Sequence, residues 1–338
     1  MKFKLNRGVT AVILLVVAVL LLVTYLFLNY LINSEEPVSV KTVLNSSQID
    51  SLFIYSLNSF GLSQDWIKEV QNRKTDKSYI VRLPNDLSIP VVLAEINTNF
   101  FGKNLTFSSV EKDFSGRTRL TINRGEKIIL SAELKYDKEI FRTKRTLSFI
   151  IKDFELSGSE DSLLLEIPEP FTALLKPSTK NTKLVNYINE IGKTYSLLID
   201  DDIPDLKYRL NESYPQKRLK ASLHSITKDF SYASFFLIDD KSDLFASPTF
   251  DFIKLEMEKR KISLVLLSEM QQLNYDDQIQ IMKSFDNYVK EIAEGENMLF
   301  LLSADGFRIL LPEIERYRKT GVKIVHPTKI KADSDTAD

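Results

Sequence analysis

The sequence has no cysteine among its 338 residues. Disulfides, thiolate metal sites and cysteine nucleophiles are therefore excluded, which is compatible with an oxidising compartment. Histidine is nearly as scarce, with only His224 and His326 present. Most histidine-based zinc sites need two or three imidazoles and are excluded with them. An excess of one charge is missing too: 45 basic residues stand against 46 acidic ones, a net charge of -1. A chain so balanced offers no broad basic face, so nucleic acid is not an expected partner. What is present is ordinary for a globular protein, 43% hydrophobic and 27% charged residues. The length suggests two domains at about 150 residues each.

One segment departs from that ordinary composition. Val9 to Ile32 carries no charge and is apolar apart from two threonines, two tyrosines and one asparagine. As a helix it is long enough to cross a bilayer, which takes about 20 apolar residues. Lys2, Lys4 and Arg7 precede it and Glu35 and Glu36 follow. The positive side predicts a cytoplasmic N-terminus of residues 1–8, a membrane anchor over 9–32 and the remaining chain outside. The run is too long for the core of a cleaved signal peptide, and no small-residue cleavage site follows. In a bacterium this places the protein in the inner membrane as a single-pass protein with periplasmic domains.

Residues 33–76 read as a helical connector. Asn45, Ser46 or Ser47 can cap a helix running to about Phe60, with Gly61 past its end. Asp65 then opens a second short helix, "DWIKEVQNR". From Lys77 the pattern changes to a strand, a helix with Pro90 in its first turn, and three further β-prone segments. Together these predict a small α+β module over residues 77–140. Asn104-Leu105-Thr106 is a glycosylation sequon, a pattern too short to carry weight alone.

From Thr146 short apolar runs alternate with helix-like segments: "LSFII", "TALL", "YSLLI", "ASFFLI", "ISLVLL", "MLFLL" and "VKIV". Such alternation implies parallel strands buried on both faces. Seven of them predict a distorted or incomplete β/α barrel over residues 146–330, with a doubly wound sheet as the competitor. Residues 331–338 form a polar tail with the composition of a disordered segment.

In α/β folds the site lies at the carboxyl ends of the parallel strands. Those ends carry Lys152-Asp153, Asp200 to Asp202, Asp239-Asp240, Ser268-Glu269, Ser303 to Asp305, and His326. An acidic pocket formed by Asp153, Asp200, Asp239 and Asp305 would suit a hard cation or a glycosidic bond. Helix capping accounts for the same residues, because Asp and Ser favour the first positions of the helices that follow. His224 falls beside the apolar stripe of an amphipathic helix and is expected near the surface. His326, at the end of the last strand, would be able to face the same pocket.

Residues 146–330 resemble the divergent polysaccharide deacetylases, relatives of the NodB-type carbohydrate esterases. The family's first strand ends in Ile-Asp-Asp, and here the sequence is Ile151-Lys152-Asp153. The "T-x-A-x-x-P" strand that follows is met by Thr172 to Pro177, with the alanine one place early. A helix ending in glycine, here Gly192, leads to a strand that carries a metal-binding histidine in the family and Leu198 here. The next strand, where the family has Asn-His, ends in Ile238-Asp239. The segment from Met298 to Ile330 is similar to the family's last strand, helix and strand. The resemblance implies that Asp153 stands where the metal-binding aspartate would be and Lys152 where the base would be. Leu198 and Asp239 stand in place of the imidazoles. It therefore implies a scaffold whose catalytic residues are vestigial, with no metal and no cofactor. The expected function is a pseudoenzyme of the cell envelope that binds protein partners or glycan. The alternative is a carbohydrate-active hydrolase with a rebuilt carboxylate or divalent-cation site.

Overall fold

The computed structural model describes residues 20–22, 24–25, 44–72, 75–114, 116–154, 164–274 and 277–328. The run read as a membrane anchor lies almost wholly outside the described residues. Of it, Leu20 to Leu22, Thr24 and Tyr25 are helical and exposed. Among the described residues, no helix is long and apolar enough to cross a membrane. The tail from Lys331 also lies outside them.

The chain first builds α1 (Ser46–Asn58), whose start is fixed by a capping box: the Asn45 side chain accepts from Gln48 N at 2.8 Å and Gln48 Oε1 accepts from Asn45 N at 2.9 Å. The segment expected to be a helix from Asp65 is instead a 3-10 turn, Gln64–Trp66, followed by the strand β1 (Ile67–Glu69). Pairing decides this: Ile67 and Glu69 lie opposite Val81 and Tyr79 of β2 (Lys77–Leu83) in an antiparallel ladder. Then follow α2 (Ile89–Phe100), β3 (Thr106–Glu111), β4 (Thr118–Arg124) and β5 (Lys127–Tyr136). The five strands form one sheet in the order β1-β2-β5-β4-β3. A core of residues such as Phe53, Val81, Ile96, Leu120 and Leu134 lies between it and the two helices.

The larger part begins at β6 (Thr146–Lys152) and continues through β7 (Thr172–Leu175), α3 (Thr179–Glu190), β8 (Thr194–Ile199), α4 (Gln216–Asp229) and β9 (Phe236–Ile238). Next come the short α5 (Asp243–Ala246), α6 (Pro248–Lys259), β10 (Leu264–Leu266) and β11 (Gln271–Leu273). The chain closes with α7 (Gln278–Glu291), β12 (Asn297–Ser303), α8 (Ala304–Lys319) and β13 (Lys323–Ile324). Seven parallel strands follow the order β10-β9-β8-β7-β6-β12-β11, and β13 joins the amino-terminal end of β6. The sheet curls into a half-barrel. Its two edges, β10 and β11, are consecutive in sequence and are joined by a 3-10 turn, Leu267–Glu269. The four residues between the two strands bridge the open side of the curl, a span of at most about 18 Å.

Both faces of the sheet are buried, as parallel strands require. On the outer face Leu147, Phe149 and Ile151 pack beneath the helices, and the Phe149 ring lies 5.3 Å from Phe307 and 5.7 Å from Phe300. On the inner face Ile150, Leu174, Leu237, Val265 and Leu301 form a separate, smaller cluster inside the curl.

Candidate functional site

The inner cluster does not fill the carboxyl-terminal mouth of the half-barrel. A cavity of about 670 Å³ opens there. Its floor is apolar: Leu174 from β7, Leu198 from β8, Leu301 from β12 and Leu267 from the bridging turn all line it. Its walls carry Lys152 at the end of β6, Lys176 just past β7, and Lys180 and Lys183 on the first turns of α3. Among the described residues, Asp153 is the one carboxylate of the lining. The neutral polar groups are Ser178, Asn181 and Gln272.

Local chain chemistry explains the positions. β6 stops because Asp153 adopts a left-handed backbone, with φ at +57°, a conformation that Asp and Asn tolerate better than branched residues. α3 starts because Ser178 accepts from Asn181 N at 3.2 Å. Asp205 accepts from Thr179 N, and hydrogen bonds from the Thr179 side chain and backbone hold its carboxyl below the usual range. The amino end of α3 is thus already served by protein acceptors, and its lysines are what it presents to the cavity.

The four carboxylates expected to converge do not share this space. Asp153 lines it, is exposed, and has no hydrogen-bond or ion-pair partner among the described residues. Asp200 lies beside it, buried, with one carboxylate oxygen 2.6 Å from Lys176 Nζ and the other accepting from Asp202 N at 3.0 Å. Asp239 accepts from Lys241 N at 3.0 Å and so closes its own turn. Asp305 sits in the first turn of α8, largely exposed, paired with Arg308. Their neighbours cap as well: Asp201 accepts from Asp243 N and Leu244 N at 2.8 Å each, starting α5, and Asp240 accepts from Ser268 N at 3.1 Å. Among the described residues, no three His, Asp or Glu side chains lie close enough to hold a metal ion together. The expected acidic pocket gives way to a lysine-rimmed one. Nor does Lys152 pair with its neighbour Asp153; the ion pair beside the cavity among the described residues is Lys176–Asp200.

The histidines lie elsewhere. His224 is exposed on α4. His326 follows β13, so it sits at the opposite, amino-terminal end of the sheet, its Nδ1 3.5 Å from Thr194 Oγ1 at the start of β8. Leu198 and Lys152 do face the cavity.

Sequence reasoning passed over Lys176, Lys180, Lys183, Leu267 and Gln272. A survey of strand ends for carboxylates skips an end that has none, "KPSTKNTK" after "TALL". Three lysines within eight residues at a strand-to-helix junction were the available signal. Leu267 and Gln272 left no local signal, because their place depends on how far the sheet curls.

No family model matches the chain, and no curated protein matches it. Among solved structures, it is similar to the crystal structure of an uncharacterized protein from Agrobacterium tumefaciens C58. The two share 12% identity and a TM-score of 0.40 over 56% of this chain and 90% of that one.

Proposed function

We propose that this protein is a membrane-anchored component of the cell envelope whose half-barrel binds a ligand or partner at its carboxyl-terminal mouth without hydrolysing it. On this reading the scaffold is a distorted barrel of the polysaccharide deacetylase type, held on the periplasmic side of the inner membrane by the apolar run Val9 to Ile32. The observation that carries the proposal is the identity of two cavity residues. Lys152 faces the cavity where the resembled family has its base, and Leu198 faces it where that family has a metal-binding histidine. Hydrolysis by such a scaffold needs a water activated by a metal or a positioned base. A leucine contributes no ligand, and an ammonium repels a cation instead of holding it.

The experiment is acetate release from N-acetylated oligosaccharides by the detergent-solubilised full chain, with zinc or cobalt supplied. The expected outcome is no release above the protein-free blank. Chelator-sensitive release at a catalytic rate would end the proposal.

A further inference from the structure

The chemistry of the cavity narrows what it binds. We infer that it takes an amphiphilic anion, an acidic head group on an aliphatic body, with the head on the lysine rim and the body on the leucine floor. The inference rests on reading the mouth as a binding site. Three observations carry it. The first is charge: among the described residues the lining holds four lysines and one aspartate, Lys176 being paired with Asp200 behind the rim, in a chain whose overall charge is -1. Lys152 and Lys183 have no acceptor or ion-pair partner among the described residues, although Asp153 lies in the same lining. The second is the floor. Leu174, Leu198, Leu267 and Leu301 come from four separate elements and meet at the base of one opening. A neutral glycan there would lay hydroxyls on leucine and leave them unpaired, at a cost in desolvation. An alkyl chain covers the same surface with gain. The third is size: about 670 Å³ falls within the range of small-molecule sites that are apolar with few polar groups.

The head group is defined by charge and not by geometry, so carboxylate and phosphate are both admitted and the experiment separates them. Calorimetric titrations use the full chain in lipid nanodiscs, with empty nanodiscs as the blank. The ligands are octyl phosphate, octanoate, octanol and inorganic phosphate. Saturable one-to-one binding of octyl phosphate or octanoate is expected, whichever is the tighter naming the head group. Octanol and inorganic phosphate are each expected to bind at least about tenfold more weakly, since each lacks one half of the recognition. The double substitution Lys152→Glu with Lys183→Glu is expected to weaken the better anion by about tenfold or more. Lys217→Glu, an exposed lysine of α4 outside the lining, is expected to leave binding unchanged. Leu198→Asn is expected to bring octyl phosphate toward the affinity of inorganic phosphate. Octanol binding as tightly as the anions, inorganic phosphate matching octyl phosphate, or binding indifferent to the lysine pair would each overturn the inference. Acetate release, measured on the same sample, reports separately on the non-hydrolytic reading.

Discussion

At the scale of single residues, Asp153 shows how a side chain can look catalytic for a backbone reason. It ends a buried strand beside a cavity, where an enzyme would place a carboxylate. Yet it is the backbone there that is unusual, at φ +57°, and the carboxylate has no partner among the described residues. A left-handed residue costs an L-amino acid roughly 1–2 kcal/mol, least for Gly, Asn and Asp. If the turn is what position 153 supplies, Asp153→Gly and Asp153→Asn should keep the stability of the parent to within about 1 kcal/mol. Asp153→Val, with a branched Cβ, should lose about 1–2 kcal/mol. Urea denaturation of the three variants checks this. Equal losses in all three would mean that the carboxylate itself holds the strand end. Asp239, Asp201 and Asp240 fit the same account, each spent on backbone N–H groups of its own or a neighbouring turn.

At the scale of elements, α7 and α8 share the apolar core under the half-barrel and are tied at its edge by one carboxylate, Asp286. Burial alone would raise the pKa of Asp286, but hydrogen bonds from Lys290, Tyr317 and Arg316 outweigh it and hold the group down to about 2. Tyr317 Oη lies 2.6 Å and Arg316 Nη2 2.8 Å from Asp286 Oδ1. Tyr317, desolvated and donating to that carboxylate, is pushed up to about 12. A carboxylate depressed on folding from its ordinary value of 3.8 adds stability above that value, and loses it as pH falls toward about 2. Asp286→Asn should therefore destabilise the protein by about 1–2 kcal/mol at neutral pH, and the gap to the parent should narrow as pH drops from 4 toward 2. Denaturant titrations across that range measure it; a gap constant with pH would place the effect in packing. The elements themselves were unevenly legible. Runs such as "TALL" and "YSLLI" announce buried parallel strands because apolar residues on both faces leave no other home. Strands β1 and β11 were missed for the opposite reason. "IKE" and "QQL" are short and mostly polar, and they are extended because β2 and β12 offer them a ladder. The site was legible only as an end of the sheet. That rule pointed to the rim on which the cavity opens, while the lysines and the bridging Leu267 depended on the curl.

At the scale of the molecule, two hydrophobic cores that share no residue are joined by a polar seam. Arg142 is its centre. Its side chain is only 7% exposed; it donates to Asp86 at 2.8 and 3.1 Å, to Phe60 O at 3.2 Å and to Lys319 O at 2.6 Å. One guanidinium thus ties the loop after β2, the end of α1 and the end of α8. Lys319 reaches back to Glu95 of α2 at 2.7 Å and lies 4.8 Å from the Phe60 ring centre. Gly61 leaves room for this approach: a Cβ there would stand 2.7 Å from Thr320 O. Each core holds its own part together, so cooperativity between the two parts runs through the seam. Arg142→Ala leaves two backbone carbonyls and one carboxylate short of a charged donor, a loss of about 2–3 kcal/mol. The expected calorimetric outcome is that a single transition in the parent divides in two, the α+β part melting first because a smaller unit buries a smaller fraction of its surface. The lysine-rimmed mouth lies on the far side of the half-barrel from this joint, so ligand binding there should survive the substitution. A single, unshifted transition in Arg142→Ala would mean that the cores are coupled by something other than this arginine.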